Sequence, residues 1–326
     1  MAKKDPVLTS INNLVPQFKY AFEKAESYNF PPGYASAEQI LVCGMGGSAL
    51  GAEALRTLVQ DQLKIPFAIV RDYHLPAYVN EKTLVVLISY SGTTEEVLSC
   101  AEEAVRKNTL VIGISSNGEL KELMKKNSKP SLVFETSLNP AGQPRSGLGL
   151  SLGMFWGALV KLGFLNKPEI AEILPRWSSL AQKTRNKLII FVSSGFLEGA
   201  CRAGRNIINE TAKTYADYHI LPEMNHHLLE GLACPASNKK NLVFLFLESE
   251  FYEPKILTRL KLTREVVRKN KIKTITVKLK GKNRAEQMLE TIFNASRLSC
   301  QLSKIYRVDP LSIPWVKWFK GRLAEK

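Results

Sequence analysis

Two turns in the first half of the chain carry residue types suited to holding an anion. ILVCGMGGSALG runs an apolar stretch into Gly44, Met45, Gly46, Gly47 and Ser48, then into a helical pattern. Glycines there let a ligand approach the main chain closely, and the free N–H groups of a helix start favour negative charge. The second turn, in TLVVLISYSGTTEEVLSC, places Ser89, Ser91, Thr93 and Thr94 around Gly92. Helix capping accounts for about one hydroxyl per turn, and four within six residues exceed it. Hydroxyls and amides from both turns can surround a terminal phosphate without a lysine. The chain contains no GxxxxGK(S/T), which argues against a Walker-type nucleoside triphosphate site. Gly44, Gly46 and Ala49 also satisfy the loose G-x-G-x-x-G/A dinucleotide pattern, with Asp72 closing the next apolar run. The hydroxyl-rich second turn favours a small phosphomonoester.

For these turns to meet, the apolar runs before them must be neighbouring parallel strands. QILVC, PFAIV, TLVVLIS, TLVIGIS and SLVFE read as strands, separated by amphipathic helical stretches. A second series follows, with strands in KLIIFVS, LVFLFL and TITVKL and helices near Leu197–Lys213, Pro254–Lys269 and Arg284–Ile305. Between the series, SGLGLSLGMFWGALVKLGFL reads as a buried, glycine-rich helix and NKPEIAEILPRW as a linker. The expected architecture is α/β, with two tandem doubly wound parallel-sheet domains spanning residues 1–168 and 169–326.

The chain has 326 residues and is 45% hydrophobic, enough for two cores and too apolar for disorder. No apolar run reaches the roughly 20 residues of a membrane helix, and the first residues lack the apolar segment of a secretory signal. Five scattered cysteines without metal-ligand spacing suit reduced thiols in a cytoplasm. The net charge is +15, with twelve basic residues and one acid between Lys255 and Arg284. That cluster reads as a solvated helix followed by an edge strand, because no nucleic-acid-binding motif accompanies it.

GMGGSALG followed by SYSGTTEE resembles a sugar isomerase (SIS) domain, a family that binds phosphosugars with such loops. PRSGLGLSLG, NETAKTYADYHILPEMNHHLLEGL and DPLSIPWVKWFKGRL narrow the resemblance to the bifunctional phosphoglucose/phosphomannose isomerases, from Gly44 to Lys320. Thr93 stands where that family often has Asn, and Val97 where it often has Thr. The resemblance implies a glucose 6-phosphate/fructose 6-phosphate isomerase with mannose 6-phosphate activity, working through a cis-enediolate without metal or nucleotide cofactor. It also implies that Gly46, Gly47, Ser48, Ser89, Ser91 and Thr94 hold the phosphate.

Glu210 matches the family's catalytic base. Its place near a helix C-terminus, and desolvation by a bound sugar, would both push its pKa up. Lys213, three residues on, is the alternative partner for a plain surface pair. His226 matches the ring-opening histidine, which in this family enters from the neighbouring subunit and so implies a homodimer; near-neutral pKa suits that task. Arg145 matches the arginine that stabilises the enediolate, and Lys320 a C-terminal lysine that aids ring opening, with Lys317 the alternative register. A metal site from Glu223, His226, His227 and Glu230 is a weaker alternative, since no HExxH is present. Three rival functions stay distinct: a sugar-phosphate sensor using the same loops, a dinucleotide-dependent oxidoreductase, and a polyanion-binding protein acting through the basic cluster.

Overall fold

The segments apolar along their whole length become strands buried on both faces, as parallel strands under two helical layers must be. The computed structural model describes residues 5–325. Its first half runs α1 (Pro6–Asn12), α2 (Leu14–Glu26), β1 (Gln39–Gly44), α3 (Gly46–Leu58), β2 (Phe67–Val70) and β3 (Thr83–Ile88). It continues through α4 (Glu95–Arg106), β4 (Leu110–Ser115), α5 (Glu119–Lys126), β5 (Ser131–Val133) and α6 (Leu148–Lys161). The second half runs α7 (Ala181–Thr184), β6 (Leu188–Ser194), α8 (Glu198–Ala212), β7 (Ala216–Leu221), α9 (Leu228–Gly231) and α10 (Asn238–Asn241). Then come β8 (Leu242–Glu248), α11 (Pro254–Lys269), β9 (Lys273–Lys278), α12 (Arg284–Tyr306) and α13 (Pro314–Ala324).

Both sheets are parallel and doubly wound, in the orders β2-β1-β3-β4-β5 and β7-β6-β8-β9. In the first, the chain leaves β1 on one side for β2 and returns on the other as β3. The crevice beyond the C-terminal ends of β1 and β3 is therefore the switch point where ligands bind in such sheets. Gly44 pairs with Ile88 there, so both anion-suited turns start from adjacent strand ends.

Strand β7 was not expected. Its sequence, ADYHIL, is half-exposed through its middle at the edge of the second sheet, so it shows no apolar run. The cluster Lys255–Arg284 forms α11 and the other edge strand, β9. Part of its charge is tied locally: Arg264 donates to Glu248 (3.3 Å) and Thr276 (2.8 Å), and Arg268 to Thr274 (2.8 Å). Among the described residues, no helix is long and apolar enough to cross a membrane.

Two helix contacts set the geometry of the site. Gly149, Gly153 and Gly157 form a ridge on α6 that lies against the main chain of α2. A Cβ at any of them would stand 2.4 Å from the carbonyl oxygen of Leu14, Phe18 or Phe22. This close packing fixes the N-terminal end of α6, which the turn carrying Arg145 immediately precedes. The second contact pairs α3 with α8 in antiparallel fashion: Gly199, at the start of α8, donates its N–H to Thr57, at the end of α3 (3.1 Å). The C-terminal end of α8 is thereby brought alongside the N-terminal end of α3. No regular element lies between Lys161 and Ala181, and this stretch docks on α12, where Trp177 N–H donates to Asn294 (2.9 Å).

Candidate active site

The first turn opens α3 with Met45 in extended conformation and Gly46 at φ +48°; the Ser48 N–H bonds back to the Met45 carbonyl (3.1 Å), while the N–H groups of Gly46 and Gly47 precede any intrahelical acceptor. Ser48 does not cap its helix; its hydroxyl accepts the N–H of Tyr90 (2.9 Å), stitching the first turn to the second. In the second turn, Thr94 likewise makes no capping bond to α4. Its hydroxyl pairs with that of Ser89 (2.8 Å), which also accepts the N–H of Gly92 (3.0 Å). Ser91 pairs with Thr93 at 2.9 Å on the exposed side. The pair of turns that carries Gly46, Gly47, Ser48, Ser89, Ser91 and Thr94 is thus joined at the adjacent ends of β1 and β3. Ser89 is buried and acts as its inner brace.

Gly92 is held at φ +75°, and a Cβ added there would lie 1.8 Å from the carbonyl oxygen of Asn117. Gly92→Ala is therefore expected to destabilise the chain by about 3 kcal/mol, visible as a lower unfolding temperature, because side-chain strain and backbone clash act together.

Arg145 comes from a 3-10 turn, Pro144–Ser146, whose main chain abuts the first turn. A Cβ on Gly47 would touch Arg145 N and Pro144 Cβ, both at 3.0 Å. The guanidinium is buried, and its N–H groups meet five acceptors. Nε donates to Thr211 (3.1 Å), while Nη1 donates to Gln143 (3.0 Å) and to the Glu210 carboxylate (3.3 Å). Nη2 donates to the carbonyls of Pro310 (2.7 Å) and Leu311 (3.4 Å).

Glu210, near the end of α8, is half-buried, with 32% of its side chain exposed against 3% for Arg145. Burial pushes its carboxyl above the usual carboxylate range, against the opposing pull of Arg145 and Lys213. Burial likewise lowers the pKa of Arg145. Desolvation thus outweighs the attraction of the pair at the carboxyl, while the guanidinium stays charged. A carboxylate that ionises reluctantly beside a fixed cation is suited to taking up and returning a proton.

Lys213 does not pair with the Glu210 carboxylate. Its ammonium donates to the Glu210 main-chain carbonyl (2.7 Å) and to that of Asp309 (2.8 Å). A cavity of about 480 Å³ opens beside Glu210, walled by Asn209, Lys213, Tyr215 and the Ile313–Val316 start of α13.

Among the described residues, the remaining two of the expected set, His226 and Lys320, make no hydrogen bond or ion pair with Arg145 or Glu210 within the chain. His226 is exposed in a 3-10 turn, Glu223–His226, that follows the C-terminal end of β7. Glu210 lies at the other end of that strand, since its neighbour Asn209 accepts the N–H of Ala216 (2.8 Å). At ~3.3 Å per residue, the length of β7 separates them by about 20 Å. Lys320 and its alternative, Lys317, are exposed on α13. Among the described residues, no group of three or more His, Cys, Asp or Glu side chains could hold a metal, and Glu223, His226, His227 and Glu230 form no such group. Gln143, Thr211 and Lys213 were not anticipated as parts of the site; their only signal was sequence proximity to Arg145 and Glu210.

Two family models match the chain: a SIS domain over residues 33–126 and the bacterial phospho-glucose isomerase C-terminal SIS domain over residues 176–323. The first contains both phosphate-suited turns, the second Glu210, His226 and Lys320, and Arg145 falls between them. A bifunctional phosphoglucose/phosphomannose isomerase of Caldicellulosiruptor bescii is 30% identical over 338 residues, 97% of this chain and 98% of that protein. The chain belongs to the bifunctional phosphoglucose/phosphomannose isomerase family. Another member, from Aquifex aeolicus, is 30% identical over 88% of this chain and 90% of its own. A D-glucosamine-6-phosphate 4-epimerase of Sulfolobus acidocaldarius is 31% identical over 70% of the chain and 75% of its own length. The fold of this family member is shared with the tagatose-6-phosphate ketose/aldose isomerase of Escherichia coli. That structure matches with TM-score 0.64 at 15% identity, over 94% of this chain and 91% of its own.

Proposed function

We propose that this family member is a cytoplasmic enzyme that interconverts glucose 6-phosphate, and also mannose 6-phosphate, with fructose 6-phosphate. The turns at Gly46–Ser48 and Ser89–Thr94 hold the phosphate, and binding at that unreactive end positions the carbons that react. Glu210 carries a proton between C1 and C2 on one face of a cis-enediolate. Arg145 supplies positive charge for the enediolate oxygens, exchanging one of its longer contacts for the ligand. His226 of a second copy opens the ring, and α13 contributes Lys320 or Lys317. Residues 1–168 form the phosphate-holding domain and residues 169–326 the domain of the base and ring-opening groups.

The observation that carries this reading is the Arg145–Glu210 pair, 3.3 Å apart, seated where the Arg145 main chain abuts Gly47. A base and a fixed cation beside a phosphate cradle suit isomerisation of a sugar phosphate and have no use in a sensor. The test is a coupled assay with fructose 6-phosphate, then with mannose 6-phosphate, each with and without chelator, in deuterated water. Turnover of both sugars, insensitive to chelator, is expected, with deuterium entering at C2 of the aldose made from fructose 6-phosphate and at C1 of the ketose made from mannose 6-phosphate. Tight binding without turnover or exchange would identify a sensor instead. Glucosamine 6-phosphate serves as the comparison substrate, and epimerisation of it in place of isomerisation would overturn the assignment.

A further inference from the structure

Helix α8 does not by itself explain why a lysine stands at residue 213. Lys213 is the helix C-cap, in left-handed conformation at φ +52° and ψ +33°. Glycine is favoured there, since a side chain strains the backbone in that region. The lysine ammonium has a use that a glycine could not meet. It joins the carbonyl of Glu210 (2.7 Å) to that of Asp309 (2.8 Å). Asp309 opens a short strap whose next two carbonyls, Pro310 and Leu311, hold Nη2 of Arg145. The same strap leads directly into α13, whose first residues wall the cavity beside Glu210.

We infer that Lys213 is a positioning residue for the reaction: its ammonium latches the Asp309–Leu311 strap and the start of α13 onto the end of α8, holding Glu210 and Arg145 in register. This inference rests on Glu210 being the base. Two cations face that carboxylate, Arg145 from its 3-10 turn and Lys213 from the helix end, and both draw its pKa down against burial. The carboxylate of Asp309 faces the two cations in turn. Loss of the Lys213 charge leaves burial less opposed, so the Glu210 pKa rises further.

The variant that separates this role from simple helix capping is Lys213→Gly, compared with Lys213→Arg in the full chain. Glycine relieves the left-handed cap, so the unfolding temperature should hold or rise. kcat for fructose 6-phosphate should nevertheless fall about tenfold or more, with KM within a few-fold, because a base out of register loses turnover before binding. The acid limb of kcat/KM should move to higher pH, and Lys213→Arg should recover most of kcat. Hydrogen exchange supplies a readout independent of catalysis: amides of residues 311–317 should exchange faster in Lys213→Gly. Unchanged exchange would refute the latch, whatever the activity. Faster exchange with wild-type kcat and an unmoved acid limb, or Lys213→Arg no better than Lys213→Gly, would refute the positioning role. Failure of Glu210 as base would appear separately, as full turnover in Glu210→Gln.

Discussion

Glu210→Gln is expected to lower kcat for fructose 6-phosphate by about 10²–10⁴-fold while KM stays within a few-fold, as for loss of a general base. Glutamine fills the same space and can still accept the Arg145 N–H, so the cradle and the guanidinium keep their places. Exchange of the C1 hydrogen of fructose 6-phosphate with solvent should stop in step with turnover. Stability should move the other way. A carboxyl whose folded-state pKa is raised binds more protons folded than unfolded. Its contribution to stability is present in full below the ordinary carboxylate value and is lost as pH rises through the raised value. At neutral pH the wild-type chain bears that loss and the glutamine variant does not. Thermal unfolding measured from pH 4 to pH 8 should therefore show Glu210→Gln gaining on the wild type as pH increases. Retained turnover would assign the proton transfer to another group.

Much of this was legible in residue types. The central strands announce themselves because parallel strands between two helical layers have no polar face to show, and the cradle because glycine and hydroxyl residues cluster beyond what capping uses. Other features depended on partners distant in the chain. Strand β7 hides behind Asp217, Tyr218 and His219, which an edge strand tolerates and an apolar pattern does not reveal. The hydroxyls of Ser48 and Thr94 look like caps in sequence, yet they bind Tyr90 N–H and Ser89. No local pattern pairs Arg145 with Glu210 across 65 positions. The antiparallel contact of α3 with α8 does so, and it depends on Gly199 meeting the main chain of Glu53 at a distance only glycine permits. Lys213 reads as a surface partner of Glu210 because spacing of three residues reports on side chains and not on the carbonyls a helix end exposes.

Mixing two inactive variants, Glu210→Gln and His226→Gln, and allowing subunits to exchange is expected to restore about a quarter of wild-type activity, as a two-fold symmetric dimer requires. The expectation follows from the placement of the two residues at opposite ends of β7, about 20 Å apart by strand rise, with His226 exposed. A histidine so placed cannot reach the sugar held against Glu210 of its own chain. If it acts on the site of a second copy, a mixed dimer contains one site with both defects and one with neither. Roughly half of randomly formed dimers are mixed, and each has one intact site of two, which gives the quarter. Helix α13 also leaves apolar side chains in solvent, Trp315 at 80% exposure and Trp318 at 61% among them, surface of the kind that interfaces bury. Activity that stays at the level of the separate variants, once mass spectrometry shows mixed dimers present, would place His226 outside the neighbour's site. Ring opening would then fall to α13, and Lys320→Met and Lys317→Met would be the variants that decide which lysine performs it.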